Sequence, residues 1–369
     1  MKFNFGSFGN FGGFSQNEET GEYHWTPPQR QGGGRPKKMR RSFSRGASLA
    51  LSLAVTLVFG FFYFYFKLPA INIHSGDFYV FIILLCAVYC VCVLLLEGFR
   101  ADSVKGYVAQ ARKKAAVPFY IVCLCIVVAV AGSLIGWKLF RARDYAQLLP
   151  IENGDFAADV AEISFDQIPM LDSASANVLA NRKLGELSEL VSQFEVYSDS
   201  FQINYQNRPV RVTYLNYGDF FKWWNNQKAG IPAYMVIDMV TQEVTVQRLE
   251  QGIRYSPSEY FFRDIDRYLR FKYPTKMFTD VNFEVNEDGE PYWVATAVTK
   301  KVGLFGGEDA VGAVLVNAVT GESTYYDVAD VPQWVDRVYT AELILEQYNY
   351  YGLYQGGFWN SLFGQSGCT

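Results

Sequence analysis

Three long apolar runs near the N-terminus constrain this chain more than any other feature. They cover residues 47–66, 78–98 and 117–140. About 20 mostly apolar residues, each rising about 1.5 Å, cross the ~30 Å hydrocarbon layer of a bilayer. The first run carries no charge, and Glu97 and Lys138 sit near the ends of the other two. Long side chains at such positions reach the interface. The runs are apolar on every face and too long for core helices of a soluble domain. Three transmembrane helices are expected, with the lipid bilayer as a partner.

Charge is sorted around these runs. Lys and Arg outnumber acids by eight to three in residues 1–46 and by five to one in 99–116. In 141–369 the acids lead by 31 to 18, so the net charge of −4 hides a segregation of sign. Basic flanks stay in the cytoplasm. Lys37, Lys38, Arg40, Arg41 and Arg45 hold the N-terminus there. Arg100, Lys105, Arg112, Lys113 and Lys114 bring the chain back after the second span. Everything after residue 140 is then extracytoplasmic, opposed only by Lys138, Arg141 and Arg143. The aromatic run 61–66 suits an outer interface. Arg40-Arg41-Ser42-Phe43 resembles a twin-arginine export signal. No small-residue cleavage site follows it, and two more spans do, so a membrane flank is expected.

The tail 1–46 interleaves Phe3, Phe5, Phe8, Phe11 and Phe14 with Gly and Asn, then carries Pro27, Pro28 and three glycines. Such a segment cannot bury enough apolar surface to fold alone. A disordered cytoplasmic tail is expected, its basic end attracted to anionic headgroups.

The outer part, 141–369, reads as α+β. A linker and a helix over 173–196 fill residues 141–200. The helix rests on an Asp172 or Ser173 cap and on Leu184, Leu187, Leu190, Val191 and Phe194 at helical spacing. A period of two then predicts strands at 201–205 and 210–215, a short helix at 218–228, and a hairpin of 233–239 with 243–249. Ser256-Pro257-Ser258-Glu259 predicts a helix start, running to about Lys272. The order then recurs. Strands are expected at 281–285 and 292–298, a flexible Gly-rich connection at 303–309, and a hairpin of 313–317 with 323–328. Pro332 opens a last helix, to about Tyr351. At an offset of 79 residues, Asp238-Met239-Val240-Thr241-Gln242-Glu243 matches Asn317-Ala318-Val319-Thr320-Gly321-Glu322. Two tandem units, 201–275 and 276–369, follow, each an antiparallel sheet with a helix on one face.

Val314-Leu315-Val316-Asn317, Thr320-Gly321-Glu322 and Tyr325-Tyr326 resemble the strand, turn and strand of PepSY-like domains. The first copy departs from that pattern at Gln242. The resemblance covers about 40 residues per copy. It implies an envelope protein of Gram-positive type, of a class associated with modulating extracytoplasmic proteases or envelope assembly.

Chemistry is sparse. The only histidines are His24 and His74, so the outer domain cannot build a Ser-His-Asp or Cys-His triad or a His-containing zinc site in cis. Carboxylate pairs stay open, but 31 acids offer many. Asp264 and Asp266 beside Arg263, Arg267 and Arg270 read as a solvated helix face. Residues 286–290 read as a plain turn. Gly303-Leu304-Phe305-Gly306-Gly307 lacks the Gly-Lys-Ser/Thr ending of a phosphate loop. Cys86, Cys90, Cys92, Cys123 and Cys125 fall in the spans, where packing competes with a thiol cluster; Cys368 stands alone outside. No catalytic residue, cofactor or metal is expected, and the acidic outer domain argues against nucleic acid.

Aromatics are dense outside. Trp223, Trp224, Tyr260, Phe358 and Trp359 are candidate contacts for a peptide, glycan or membrane, with core packing as the competing reading. The Gly/aromatic ending after 351, where further strands would be due, suggests a fragment of a longer chain. The functional expectation is a non-enzymatic binding or scaffold module anchored at the cell envelope, its partner another envelope protein or peptide. A protease regulator or carboxylate hydrolase and a transport or sensory subunit are the alternatives.

Overall fold

The computed structural model describes residues 13–16, 23–26, 45–100, 104–152, 154–160, 162, 164 and 168–368. Met1–Ala47 form one unit and Ser48–Thr369 another. In the first, β1 (Gly13–Gln16) and β2 (Tyr23–Thr26) pair antiparallel, with Gly13 opposite Thr26. This corrects the expected disorder for those residues, whose Phe, Tyr, Trp and Thr favour extended backbone. The rest of the tail, Phe3 to Phe11 included, lies outside the described residues.

Three helices follow, α1 (Arg45–Lys67), α2 (Gly76–Arg100) and α3 (Val104–Ile135), and the second unit starts within α1 at Ser48. Each is long and apolar enough to cross a membrane. On α1, Ser48 and Ser52 are buried, and the Ser52 and Thr56 hydroxyls donate to carbonyls one turn back at 3.0 and 2.8 Å. Small residues spaced by four let helices approach closely. Nearer the other end, Tyr63 stacks on Phe81 of α2 at 5.5 Å.

The third helix differs from the expected 117–140. It starts 13 residues earlier, because Ala, Lys, Arg and Gln in 105–116 are strong helix formers. Lys114 pairs with the buried Glu97 at 2.7 Å, joining α2 to α3. It ends at Ile135, and α4 (Lys138–Ala146) follows as a separate helix. The break falls at Gly136, where a β-carbon would stand 3.0 Å from the Val302 carbonyl.

After α5 (Phe156–Asp159) comes α6 (Ser173–Gly185), capped by the Asp172 carboxylate on the Ser175 N–H at 2.6 Å. The expected helix to 196 is not continuous. A short α7 (Ser188–Val191) precedes strand β3 (Phe194–Val196), which pairs with 215–217. Its buried–exposed–buried alternation on a sheet edge overrides the helical spacing of Leu187, Leu190 and Phe194.

The first sheet also contains β4 (Phe201–Tyr205), β5 (Arg208–Tyr217), β6 (Ile231–Asp238) and β7 (Val244–Ile253). Helix α8 (Phe220–Asn226) joins β5 to β6. Its order is β3-β5-β6-β7, with β4 beside β3 on the same edge of β5. After α9 (Ile265–Lys272), the second sheet runs β8 (Met277–Val285), β9 (Pro291–Val302), β10 (Gly306–Asn317) and β11 (Ser323–Asp327). All its pairs are antiparallel. Helix α10 (Ala341–Tyr354) closes the fold.

Three local expectations change. Helix α9 begins at Ile265, with Asp264 capping the Arg267 N–H at 2.9 Å. The Ser-Pro start at 256–257 fails because Phe261 takes φ +58°, which interrupts any helix. Helix α10 begins at Ala341 under a Thr340 cap, while Val331, Trp334 and Val335 lie across Val294, Ala313 and Leu315 of the second sheet. The Gly-rich segment is not a loose connection either. Only 303–305 form a turn, and Gly306–Asp309 are already β10.

The internal repeat appears bond by bond. Asp238 Oδ1 accepts the N–H groups of Val240 and Thr241, both at 2.8 Å; Asn317 Oδ1 accepts those of Val319 and Thr320, both at 3.0 Å. Thr241 and Thr320 hydroxyls accept from Glu243 and Glu322. Gln242 and Gly321 both have positive φ, +61° and +76°. Met239 and Ala318 donate to the carbonyls of Pro209 and Pro291.

The two sheets nevertheless share one core. Tyr214 meets Phe283 and Trp293 at 5.3 and 4.8 Å, and Tyr234 meets Phe283 at 5.9 Å. Ile265 and Leu269 of α9 join the same cluster. The helix covering the first sheet is α6, through Ala176, Ala180 and Leu184, from the helix expected ahead of the first unit. So 201–275 and 276–369 are two repeats built around one interior.

The two-sheet part rests on the end of α1 and the start of α2. Arg267 and Arg270 are not on a solvated face. The Arg267 guanidinium lies over the Tyr65 ring at 4.4 Å, and Arg270 donates to the Lys276 carbonyl at 2.6 Å. Asp266 remains exposed. Ile71 N–H donates to Pro274, and Leu304 O faces His74 Nδ1 at 2.8 Å. The Phe305 ring packs on Tyr79 at 5.6 Å.

Candidate binding cleft and aromatic patch

The five aromatic candidates separate into three roles. Trp223 is 3% exposed. Its Nε1 donates to Glu259 at 2.7 Å, and the Tyr217 hydroxyl donates to the same carboxylate at 2.8 Å. Burial raises the Glu259 pKa, and these two donors partly offset it. Trp223 is therefore a packed anchor, which corrects its place among contact residues. Trp224 and Tyr260 stay exposed around it, and Tyr260 lies 4.7 Å from the Trp223 ring. Phe358 and Trp359 sit elsewhere, past the end of α10, where Phe358 stacks on Tyr354 at 6.5 Å.

A cleft of about 770 Å³ opens where the 197–200 turn, β4, β5 and β8 meet the 337–344 segment. Its lining includes Asp199, Arg211, Asp280, Asn282, Arg337 and Tyr339. Arg211 is fixed by its Nε on the Leu171 carbonyl and its Nη1 on the Ser200 carbonyl, both at 3.1 Å. Burial lowers its pKa, and Asp199 opposes that. Arg337 donates to the Gln202 carbonyl at 3.4 Å. Asn282 is only 6% exposed, yet its Nδ2 has no hydrogen-bond partner in the protein. A buried unpaired donor costs about 1–3 kcal/mol.

The Ser173–Asp199 pair in the cleft is poorly suited to nucleophilic attack. The Ser173 hydroxyl donates to Asp199. That bond, helped by the Ser200 N–H and the two arginines, lowers the Asp199 pKa. A carboxylate so stabilised is a weak base for a serine. Among the described residues no group of three or more His, Cys, Asp or Glu is placed to hold a metal, and the six cysteines are free.

Sequence reasoning missed this cleft. Its signal was faint: Asn282 and Glu284 alternate with Val281, Phe283 and Val285, as on any half-exposed strand. The structure buries that second face under residues 331–337. No protein-family model, curated protein or solved structure matches this chain.

Proposed function

We propose that this chain is a multi-pass membrane protein of a bacterial envelope whose outer domain binds a peptide segment of another envelope protein. The N-terminus is cytoplasmic and residues 141–369 are extracytoplasmic, a reading that the basic residues before α1 and in 100–114 support. The cleft that Arg211, Arg337 and Asn282 line together, with the Asn282 Nδ2 unpartnered in the protein, carries the binding reading. Those groups donate to carbonyl or carboxylate oxygens, while Asp199, Asp280 and Glu342 accept N–H groups. A peptide offers both. The likeness of the turn at Asn317–Glu322 to PepSY-like domains supports an envelope role by analogy.

The test uses the intact protein in its own membranes, with a photoreactive phenylalanine analogue at Tyr339. The expected product is an adduct with another protein, mapped to one peptide. Asn282→Ala or Arg337→Ala should each lower its yield about tenfold, as the loss of one good buried hydrogen bond predicts. Adducts formed only between copies of this chain, or a yield that ignores both substitutions, would refute the reading.

A further inference from the structure

Six aromatic rings lie exposed together beside the end of α1. Phe220, Phe221 and Trp224 come from α8, and Tyr260, Phe261 and Phe262 from the segment before α9. Trp224 is 59% exposed and Phe221 76%. Monomeric soluble surfaces rarely gather so much apolar area. The fold also works to hold it there. Phe261 adopts φ +58°, a strained backbone for an aromatic residue. Trp223 roots the cluster through Phe220 at 5.4 Å, Tyr260 at 4.7 Å and its bond to Glu259.

The neighbours of the patch identify its occupant. Phe262 packs edge-on against Tyr65 at 5.8 Å. Tyr65 belongs to the last turns of α1, whose Phe61, Phe62 and Phe66 are exposed as well. The patch is thus a lateral continuation of a helix surface long and apolar enough to lie in lipid. Trp and Tyr concentrate at membrane–water interfaces, where an apolar ring body and a polar tip are both satisfied. We infer that α8 and residues 260–262 dip into the outer interfacial layer of the bilayer and hold the outer domain against the membrane. This rests on the reading of α1–α3 as membrane spans.

The test compares the full chain and its Trp224→Phe variant in phosphatidylcholine vesicles. Flotation with the vesicles checks the spans. The difference in emission between the two proteins isolates Trp224. That difference should be blue-shifted and lost when the lipids are brominated near the glycerol end of their chains. Bromines near the chain ends should take away less of it. A chain that floats, while its Trp224 emission stays red and unquenched, would overturn the interfacial patch and leave the spans standing. Failure to float would overturn both. Trp224 emission shielded only as protein density rises would instead assign the patch to a second copy, and would overturn the proposal too.

Discussion

Glu284→Gln should make this protein more stable at alkaline pH than the unsubstituted chain. Glu284 is 0% exposed on β8. Its two oxygens accept the N–H groups of Asp336 and Arg337 at 2.9 and 3.1 Å, which pins the 331–340 segment to the second sheet. Burial raises its pKa from 4.5 to about 7; the charge of Asp336 adds to this, while the two N–H groups and Arg337 oppose it. Below the lower value both folded and unfolded chains hold the proton, and the group costs nothing. As pH rises, the unfolded chain releases its proton first. The folded state loses ground until its own carboxyl ionises near pH 7. At about 1.4 kcal/mol per pH unit, that gap amounts to roughly 3 kcal/mol of stability, present at acid pH and gone above neutrality.

Gln cannot titrate, and it keeps one acceptor oxygen for the two N–H groups. It should therefore cost about 1 kcal/mol or less at about pH 5 and gain about 2 kcal/mol at about pH 8. Urea unfolding of the full chain in detergent, followed by tryptophan emission, reads both. The difference between the two proteins matters, because Glu259 and Asp264 also have raised pKa values and tilt the absolute curve the same way. A variant less stable than its parent at both pH values would refute the assignment of a protonatable pin.

Further outcomes follow from named contacts. Trp223→Ala should cost about 3–5 kcal/mol in the same unfolding assay, since it empties a core site and strands Glu259, whereas Trp224→Ala should stay within about 0.5 kcal/mol. Gln242→Gly should stabilise by up to about 1 kcal/mol, because its φ of +61° suits glycine; Gly321→Ala should destabilise clearly, as its β-carbon would fall 2.2 Å from the Tyr255 ring. Gly303→Ala should lift the 303–305 turn, because a β-carbon there meets the Gly136 backbone at 2.7 Å; hydrogen exchange should quicken across 300–308 and spare β8.

What was legible in the sequence was local. The turns at 238–243 and 317–322 could be read because an Asx side chain, a Thr hydroxyl and a left-handed residue act within six positions. The three apolar helices could be read from length and composition alone. Helix starts at Ser256 and Pro332 were misplaced because distant partners claimed those backbones. Trp293 takes the Tyr255 carbonyl at 2.7 Å, and the Arg337 carbonyl accepts from Thr296 at 3.2 Å. The Asn282 cleft depends on which face residues 331–337 cover, and nothing in the local pattern specifies that.

The repeat also explains where the copies had to part. Both carry the same turn, yet the connections before it differ. Between β5 and β6 stands α8, which presents Phe220, Phe221 and Trp224. Between β9 and β10 stands the tight 303–305 turn, whose Leu304 and Phe305 approach Gly132 of α3. A helix in the second position would collide with α3. A three-residue turn in the first would leave Trp223 without a backbone and Glu259 without its indole partner. The equivalent ends of the two hairpins thus meet the helices in different ways, one through exposed rings beside α1 and one at a glycine-lined end of α3. The two sheets repeat one strand order, and the difference in one connection lets a single core rest on the helices at two separate points.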